Sequence, residues 1–298
     1  MEQQMCSDGL VNVLKPPGMS SHDVVSFIRR VYQTKKVGHA GTLDPAACGV
    51  LPIAIGKATR LIEYMSEADK SYRAELTFGF ETDSGDDTGI IVKKVDKYIL
   101  PSFEVISDTL NSFVGDIIQT PPMHSAIKIN GNKLCDLVRK GIKVEVPSRK
   151  VEIKKILPIQ YRNNKLLFDV SCSKGTYIRS LCMDIGHKLM IPATMSFLTR
   201  TRVGDFSLND SYTLNEIAEQ KKSILLDVDY SVKHLPSINL SLKQILDFQE
   251  GRSVKIDLIN KAQLFRVYNM DKSFIGIARY DNLSGTLTAK KVLVRKSL

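Results

Sequence analysis

The chain has no tryptophan, no Cys-x-x-Cys pair and no apolar run long enough to span a bilayer. Its five cysteines are scattered over the 298 residues: Cys6, Cys48, Cys135, Cys172 and Cys182. An odd, scattered set suits a reducing compartment and argues against a disulfide framework or a structural zinc site. Residues 1–8 also lack the basic start and the apolar middle of a signal peptide. We therefore expect a cytoplasmic protein that holds no metal.

The glycine-rich loops that bind nucleotide phosphates are missing as well. Gly56-Lys57 does not complete a P-loop, because the required earlier glycine is replaced by Leu51. No Gly-x-Gly-x-x-Gly motif occurs. The acid-rich segment 82–89 superficially resembles a calcium loop, but it lacks the glutamate that an EF-hand loop needs, so we interpret it first as a turn. We expect no cofactor.

Positive charge is in excess and is concentrated in two segments of a chain whose net charge is +10. Residues 121–155 contain nine Lys or Arg against three acids, and residues 238–298 contain eleven against five, so each segment carries +6. Basic surface is often only solvated, but two such segments favour a polyanionic partner such as nucleic acid. Membrane phosphates are the alternative. Neither segment shows a basic amphipathic helix with an aromatic apolar face, so we expect no membrane contact.

Length and apolar content predict two folded units. A chain of 298 residues that is 43% hydrophobic exceeds one typical domain and can bury a sizeable core. We expect a main domain over residues 1–236 and a small, mostly β module over residues 237–298. A helix over 213–220 and a polar stretch over 229–236 would separate them.

Apolar periodicity predicts an α+β fold. Strands are predicted over 9–14, 50–55, 71–79, 142–156, 165–173 and 195–203, and in the tail over 263–268, 274–279 and 292–294. Helices are predicted after Ser20 or Ser21, over 58–65, from Ser102 to Phe113, over 177–189 and over 242–248. The strand over 71–79 alternates, so its even-numbered residues from Tyr72 to Phe78 should face a core.

A single carboxylate stands in the glycine-rich segment from Lys36 to Pro52. Asp44 lies there among three glycines and two prolines, between a basic pair and an apolar run. Glycine permits close approach of another molecule, and Pro45 biases Asp44 towards an extended backbone. One acid fixed in a concave, basic-rimmed place is a candidate nucleophile or base for sugar chemistry on RNA. A strand-connecting loop whose aspartate caps a turn is the alternative, and residue types alone leave both open.

Seven ordered motifs span nearly the whole chain. They are KPPGMSSHDVV (15–25), GHxGTLDP (38–45), DKxYRA (69–74), TDSGD (82–86), QTPPxxSAxK (119–128), SKGTYIRSL (173–181) and LxRTxVG (198–204). Any one of them alone would be a weak signal. Together they resemble the TruB family of bacterial tRNA pseudouridine-55 synthases.

The resemblance implies a fold and a reaction. The fold would be a mixed or antiparallel sheet core of the pseudouridine synthase type with helices, an RNA-gripping insertion at about 121–155, and a small PUA-like C-terminal module. The reaction would isomerise one uridine of the tRNA T-loop, at position 55, to pseudouridine. The N1–C1′ bond breaks, the uracil turns and C5 bonds to C1′, without redox change or group donor. tRNA, bound through its T-arm, would be the partner of a monomer that needs no other protein.

The resemblance also implies roles for three residues. Asp44 falls on the essential aspartate, which can attack C1′ or take a proton from C2′. Tyr72 would stack on the uracil and help remove the C5 proton, although a tyrosine in such a strand is, by itself, more typical of a core. Arg179 would keep Asp44 ionised and aimed; the alternative is a surface ion pair in the first turn of a helix.

Further residues are expected to contact or support the RNA site. His39 would help lever the target base out of the RNA, unless it is a structural histidine. Leu198 would form an apolar wall for the uracil, and Lys15 would support the active-site loop. Three basic residues of the insertion would contact phosphate: Lys128, Arg139 and Lys140.

The chain departs from the family pattern near these motifs. Ala40 replaces a usual threonine, Ala46-Ala47-Cys48 replaces Leu-Ala-Thr, and Cys135 stands where the insertion usually has a tyrosine. Two other functions therefore stay open. One is a guide-RNA-dependent pseudouridine synthase, a usually longer type against which the insertion argues. The other is a non-catalytic RNA-binding or tRNA-folding protein, against which the set of Asp44, Tyr72 and Arg179 argues.

Overall fold

The computed structural model describes residues 8–123, 125, 128–129, 132–134, 146–256 and 262–294. Arg139 and Lys140 lie outside the described residues, as do Cys6 and Cys135. Lys128 is placed in a two-residue strand.

The helices and strands follow the chain in mixed order. The helices are α1 Ser21–Val31, α2 Ile62–Ser66, α3 Phe103–Asn111, α4 Ile178–Lys188, α5 Leu214–Gln220 and α6 Leu242–Gln249. The strands are β1 Gly9–Lys15, β2 Val37–His39, β3 Cys48–Ile55, β4 Lys70–Phe78, β5 Phe80–Thr82, β6 Ile91–Lys94, β7 Gly115–Gln119, β8 Lys128–Ile129, β9 Asn132–Lys133, β10 Arg149–Arg162, β11 Lys165–Cys172, β12 Ala193–Val203, β13 Phe206–Ser207, β14 Ser237–Asn239, β15 Val254–Lys255, β16 Leu264–Tyr268, β17 Phe274–Asp281 and β18 Thr286–Val292. Short 3-10 helices occupy Gly56–Leu61, Lys221–Ile224 and Val228–Val232.

One large mixed sheet organises the first part of the chain. Its strand order is β1-β3-β12-β4-β11-β10-β7, with β2 added to β3 and β13 to β12. The pairings along this order are antiparallel except that of β3 with β12, which run parallel. The expected α+β fold with a mixed sheet core is therefore confirmed.

The hydrophobic pattern explains how this sheet is covered. The even-numbered residues of β4 from Tyr72 to Phe78 are buried, as their alternation predicts. They pack in one cluster with Phe168 of β11 and Ile185 of α4. On α1, a capping box of Ser20 and Asp23 begins the helix, whose buried face packs on β1 and β3.

A second sheet, of order β14-β16-β17-β18-β15, forms the end of the described chain. Phe248 of α6 and Val267 of β16 lie in its buried core. This sheet also packs against the rest of the protein, because Leu61, Val232 and Ile277 share one buried cluster.

The structure corrects several predicted elements. The strand predicted over 142–156 is β10, which begins at Arg149 and continues to Arg162; its residues 149–153 pair with β7 in the main sheet, and residues 142–145 lie outside the described part of the chain. The helix predicted over 58–65 is a 3-10 helix followed by the short α2, and the last strand ends rather than begins at Val292. The sequence missed β2 and β7, because short strands with glycine or isolated apolar residues give no clear alternation.

Candidate active site

An open cleft of about 440 Å³ lies where the sheet, the loop between β2 and β3, and the start of α4 meet. Its lining combines acidic, basic and apolar side chains. Asp44, Tyr72, Arg179 and Leu198, all expected in the site, line it together with Lys70, Ser125, Arg149, Lys174, Tyr177 and Arg200. The fold therefore gathers residues from five of the seven sequence motifs around one space.

Asp44 and Arg179 form an ion pair inside this cleft. The Nε atom of Arg179 lies 3.0 Å from Oδ2 of Asp44, and Nη2 lies 3.4 Å from Oδ1. The arginine side chain is 5% exposed and the aspartate side chain 36%. The guanidinium is thus buried behind the carboxylate, and the carboxylate remains open to a ligand.

The turn over residues 82–89 holds Arg179 from its other side. Nη1 of Arg179 donates to the carbonyl oxygen of Ser84 at 3.0 Å and lies 3.8 Å from Oδ2 of Asp86. Oδ1 of Asp86 accepts hydrogen bonds from Ser84 and Thr88. Burial acts to raise the pKa of Asp86, but the hydrogen bonds from Thr88 and Ser84 and the charge of Arg179 together outweigh it and lower the pKa. This turn therefore supplies a fixed negative charge behind the arginine.

The pKa of Asp44 reflects opposing effects. Burial is the largest and raises the pKa above the usual 3.8; the charge of Arg179 lowers it, and the charge of Asp86 raises it again. The net direction is upward. Arg179 does favour the ionised carboxylate, as expected from the sequence, but it does not outweigh the loss of solvation.

The loop that carries Asp44 is fixed by Arg200 of β12, a residue that sequence reasoning did not single out. Arg200 is 1% exposed and donates to the carbonyl oxygens of Gly41 at 3.1 Å, Thr42 at 3.3 Å and Val50 at 2.8 Å. It could reach them because β3 and β12 pair directly, with Gly49 opposite Arg200.

Lys15, at the end of β1, holds the same loop from the far side of Asp44. Its ammonium is fully buried and donates to the carbonyl oxygens of Pro16, Pro45 and Ala47 at 2.9, 3.1 and 2.6 Å. Burial lowers the pKa of Lys15 to about 8. The lysine lies behind the loop and does not line the cleft.

Ser21 fixes the residue before Asp44. Its hydroxyl accepts from the N–H of Leu43 at 2.9 Å and donates to the carbonyl of Leu43 at 3.0 Å. Ser21 had no assigned role beyond helix capping. With both backbone groups of Leu43 bonded, the backbone on either side of Asp44 is held, and this limits the directions the carboxylate can take.

Tyr72 and Leu198 form the sheet side of the cleft. Tyr72 of β4 lies directly opposite Arg200 of β12. Burial raises the pKa of Tyr72, so its hydroxyl keeps its proton. Leu198 is 8% exposed on the same face of β12. A planar ring inserted here would meet an aromatic and an aliphatic wall.

The remaining expected residues lie elsewhere. His39 is half-buried on β2, near Arg200 and His22, and does not line the cleft. Burial lowers the pKa of His39. Three residues whose contacts were not predicted lie inside the recognised motifs: Arg200, Asp86 and Ser21. The motifs therefore marked these residues, but only the contacts between distant segments show what each residue does.

Neither a metal site nor a membrane-spanning helix is found within the described ranges. No group of three or more His, Cys, Asp or Glu residues there could hold a metal ion. None of the helices described is long and apolar enough to cross a bilayer.

Comparison with protein families identifies the class. Residues 29–178 match the family model "TruB family pseudouridylate synthase (N terminal domain)". Residues 179–233 match the "tRNA pseudouridylate synthase B C-terminal domain", and residues 236–293 match "Pseudouridine synthase II TruB, C-terminal". The protein is thus a pseudouridine synthase, an isomerase.

Relatives narrow this class to one family. The chain is 47% identical over 274 residues to the tRNA pseudouridine synthase B of Caldanaerobacter subterraneus subsp. tengcongensis, covering 92% of this chain and 95% of that protein. It is 42% identical over 294 residues to the tRNA pseudouridine synthase B of Clostridioides difficile, covering 94% and 97%. The chain belongs to the TruB family of pseudouridylate synthases.

Solved structures share the fold over most of the chain. A Cbf5-Nop10-Gar1 complex contains a chain that superposes with a TM-score of 0.73 at 26% identity, covering 96% of this chain and 85% of that one. A chain of an H/ACA RNP bound to a substrate RNA containing 2'-deoxyuridine gives a TM-score of 0.72 at 23% identity, covering 96% and 85%. These likenesses show a common architecture.

Proposed function

We propose that this protein converts the uridine at position 55 in the T-loop of tRNA to pseudouridine, with Asp44 as the reacting carboxylate. The observation that carries the proposal is the buried guanidinium of Arg179 3.0 Å behind a carboxylate that stays open to the cleft. The tRNA substrate is inferred from relatives named tRNA pseudouridine synthase B. The T-loop and the position come from the motif resemblance.

The chemistry asks little beyond a positioned carboxylate. The N1–C1′ bond of uridine breaks, the uracil rotates, C5 bonds to C1′, the C5 proton is lost and N1 gains a proton, so substrate and product have the same atoms. Asp44 either attacks C1′ and is later displaced by C5, or takes a proton from C2′ as the uracil leaves and returns it to C2′ as C5 bonds to C1′. Both routes need the ionised carboxylate that Arg179 favours.

The walls of the cleft suit the detached base. Tyr72 would stack on the uracil, with Leu198 on the other side. A target base inside the T-loop must leave its stack to reach this cleft, at a cost of about a few kcal/mol. His39, on the neighbouring strand β2, would assist by occupying space near the vacated position.

Mapping of modified uridines in cellular RNA, with and without the protein, tests the substrate. Loss of pseudouridine at position 55 of tRNA alone supports the proposal. Loss at sites that depend on a guide RNA would favour the guided type of enzyme, and an unchanged map would favour a non-catalytic RNA-binding role.

Asp44→Asn tests the residue, because the amide keeps the shape and removes the nucleophile and base. We expect isomerisation of a T-arm RNA to be abolished while RNA affinity stays within about tenfold, since phosphate contacts dominate binding. Asp87→Asn, an exposed acid near the site, is the matched control and should keep wild-type turnover. Substantial turnover by Asp44→Asn would remove Asp44 from the reaction.

A further inference from the structure

Both ends of the segment 121–148 are attached to the residues that begin α4. Gln119, the last residue of β7, lies just before this segment, and Arg149, the first residue of β10, directly follows it. The two are register partners in the sheet. Thr120 and Ser148 are joined by a hydroxyl hydrogen bond of 2.8 Å, so the two ends leave the sheet together.

Gln119 makes a two-point contact with the backbone of Tyr177. Its Nε2 donates to the Tyr177 carbonyl at 3.0 Å, and its Oε1 accepts from the Tyr177 N–H at 2.7 Å. Gln119 is 1% exposed. A buried amide with both functions used fixes the position and the orientation of the Tyr177 backbone. Its removal leaves the Tyr177 N–H without this acceptor, whereas the Tyr177 carbonyl still accepts from the N–H of Leu181 at 3.1 Å.

Two further contacts join the same elements. The hydroxyl of Ser180 donates to the carbonyl of Thr120 at 2.8 Å. The guanidinium of Arg149 donates to the carbonyl of Gly175 and lies 4.7 Å from the ring centroid of Tyr177. The segment's two ends therefore contact residues on both sides of Arg179.

Arg179 has little freedom once these contacts are made. It is flanked by Ile178 and Ser180 in the first turn of α4, and its guanidinium lies between the Ser84 carbonyl and Asp44. A shift of this turn changes the distance between Arg179 and Asp44. Misplacement of a reacting group by about 1 Å can cost about a hundredfold in rate.

We propose that Gln119 is a positioning residue, which holds the first turn of α4 and, through it, the ion pair of Arg179 and Asp44. This inference rests on the proposed function, in which Asp44 is the reacting carboxylate. Gln119 sets the backbone of Tyr177, the residue that precedes α4, and Arg179 in the first turn of that helix aims the carboxylate.

Gln119→Leu tests the coupling, because leucine fills much of the space and makes neither hydrogen bond. We expect the single-turnover rate at saturating tRNA to fall about ten- to hundredfold, with the Kd for tRNA nearly unchanged. The acid limb of the rate should move to higher pH, because a more distant Arg179 lowers the pKa of Asp44 less. A merely structural role would reduce the folded fraction and leave the pH profile in place.

Ser180→Ala removes one hydroxyl and serves as the milder variant if Gln119→Leu does not fold. Thr194→Val is its matched control, because Thr194 is fully buried and its hydroxyl donates to the Phe80 carbonyl at 3.0 Å. We expect Ser180→Ala to slow the single-turnover step severalfold and Thr194→Val to leave it unchanged. The double variant of Gln119 and Ser180 should lose less than the product of the two single losses, since both act through one turn of helix.

Three results would overturn the inference. One is a wild-type saturated rate and pH profile in Gln119→Leu, or in Ser180→Ala if only that variant folds. Another is a reduction confined to tRNA affinity, which would make Gln119 a binding residue. Absence of pseudouridine with the wild-type protein would overturn the proposed function itself, and the inference with it.

Discussion

Asp44 is a carboxylate whose pKa lies above its usual value, although it touches a guanidinium. Burial and the charge of Asp86 raise the pKa, and Arg179, Lys15 and Arg200 lower it. A carboxylate with a raised pKa is a stronger base than an exposed one, which suits both attack at C1′ and proton removal at C2′. The arginine then acts more by direction than by charge, because it fixes both oxygens.

Asp86→Asn should move the acid limb of kcat/KM to lower pH. The negative charge of Asp86 raises the pKa of Asp44, so its removal lowers that pKa and extends ionisation of Asp44 to more acidic solution. The amide keeps an oxygen that can accept from Ser84 and Thr88. The pH dependence of kcat/KM on a T-arm RNA, which reports the free enzyme, measures the shift.

Asp83→Asn is the control for this change. Asp83 lies in the same turn, where its carboxylate accepts from the N–H of Ile90, and it is not among the charges that act on Asp44. The acid limb of kcat/KM for the Asp83→Asn variant should match that of the wild type. A limb that moves to higher pH in Asp86→Asn would show instead that Asp86 acts mainly by holding Arg179.

At the scale of single residues, Asp44, Tyr72 and Arg179 could be predicted as site candidates from the sequence, because the motifs mark them. The contacts that Arg200 and Ser21 make could not be predicted. An arginine in an alternating strand looks solvent-facing, and a serine before an apolar helix looks like a cap. Their partners, the carbonyls of Gly41 and Leu43, become visible only when strands and helices from distant parts of the chain meet.

The loop between β2 and β3 is fixed by the close parallel contact of β3 with β12. Gly49 has a φ of +110°, and a Cβ built on it would lie 2.2 Å from the carbonyl oxygen of Arg200. Glycine is required there for backbone conformation and for space. Without this approach Arg200 would not reach the loop carbonyls.

Gly49→Ala should therefore be severely destabilising. Gly115→Ala is a matched control, because Gly115 has a φ of +103° and nothing within 4 Å of an added Cβ. In Gly115→Ala the free energy of unfolding should fall only by the cost of the backbone strain, about 1–3 kcal/mol. We expect Gly49→Ala to lose at least about 2 kcal/mol more, from the collision with β12. Denaturant unfolding measures both, and equal losses would show that the contact of β3 with β12 relaxes freely.

Lys15 gives the same loop a pH dependence of known sign. Its folded pKa is about 8 against an ordinary value of 10.5, so between these pH values the unfolded chain binds more protons than the folded protein. The free energy of unfolding contributed by this group must then rise as the pH increases from 8 to 10.5. Lys70 has a similarly lowered pKa, so the effect of Lys15 must be isolated by difference.

Lys15→Met isolates the contribution of Lys15 to the pH dependence of stability, because methionine replaces the ammonium with an apolar end. The free energy of unfolding of the wild type minus that of the variant should increase as the pH rises from 8 to 10.5. Activity should also fall, since three loop carbonyls lose their donor and Asp44 is less well placed. Urea titrations at several pH values measure the difference, and a flat or falling difference would show that the pKa of Lys15 is not lowered in the folded protein.

At the scale of elements, the sequence predicted those with strong local periodicity. β4 alternates, α1 has a capping box, and most of the predicted strands and helices lie within a few residues of their predicted positions. The exceptions are β10, which begins and ends later than predicted, and β18, which ends where a strand was predicted to begin. The sequence missed β2 and β7. Short edge strands depend on their neighbours for stability, so their own residues carry little signal.

The whole molecule joins its two sheets through apolar and charged contacts. Leu61 and Ile277 share a buried cluster, Lys291 lies 2.9 Å from Glu63, and Arg60 donates to the Val292 carbonyl. The second basic segment, over 238–298, is thereby attached to the sheet that carries the cleft. No periodicity in the sequence could place these units against each other, because the contact needs only a few apolar residues from each.

Neutralisation of Lys128, Arg139 and Lys140 to Gln tests whether the first basic segment contacts RNA phosphate. The slope of log K against log salt is negative. For every phosphate that is no longer neutralised, the slope should become less steep, by about 0.9 for duplex or about 0.7 for single-stranded nucleic acid. The matched control replaces three exposed lysines in or near β6 with Gln: Lys93, Lys94 and Lys97. This control should leave the slope unchanged. Binding of a T-arm RNA measured across a salt series decides between them. An unchanged slope in the first triple variant would show that these residues of the insertion do not contact phosphate, and equal reductions in both variants would show a diffuse effect of net charge.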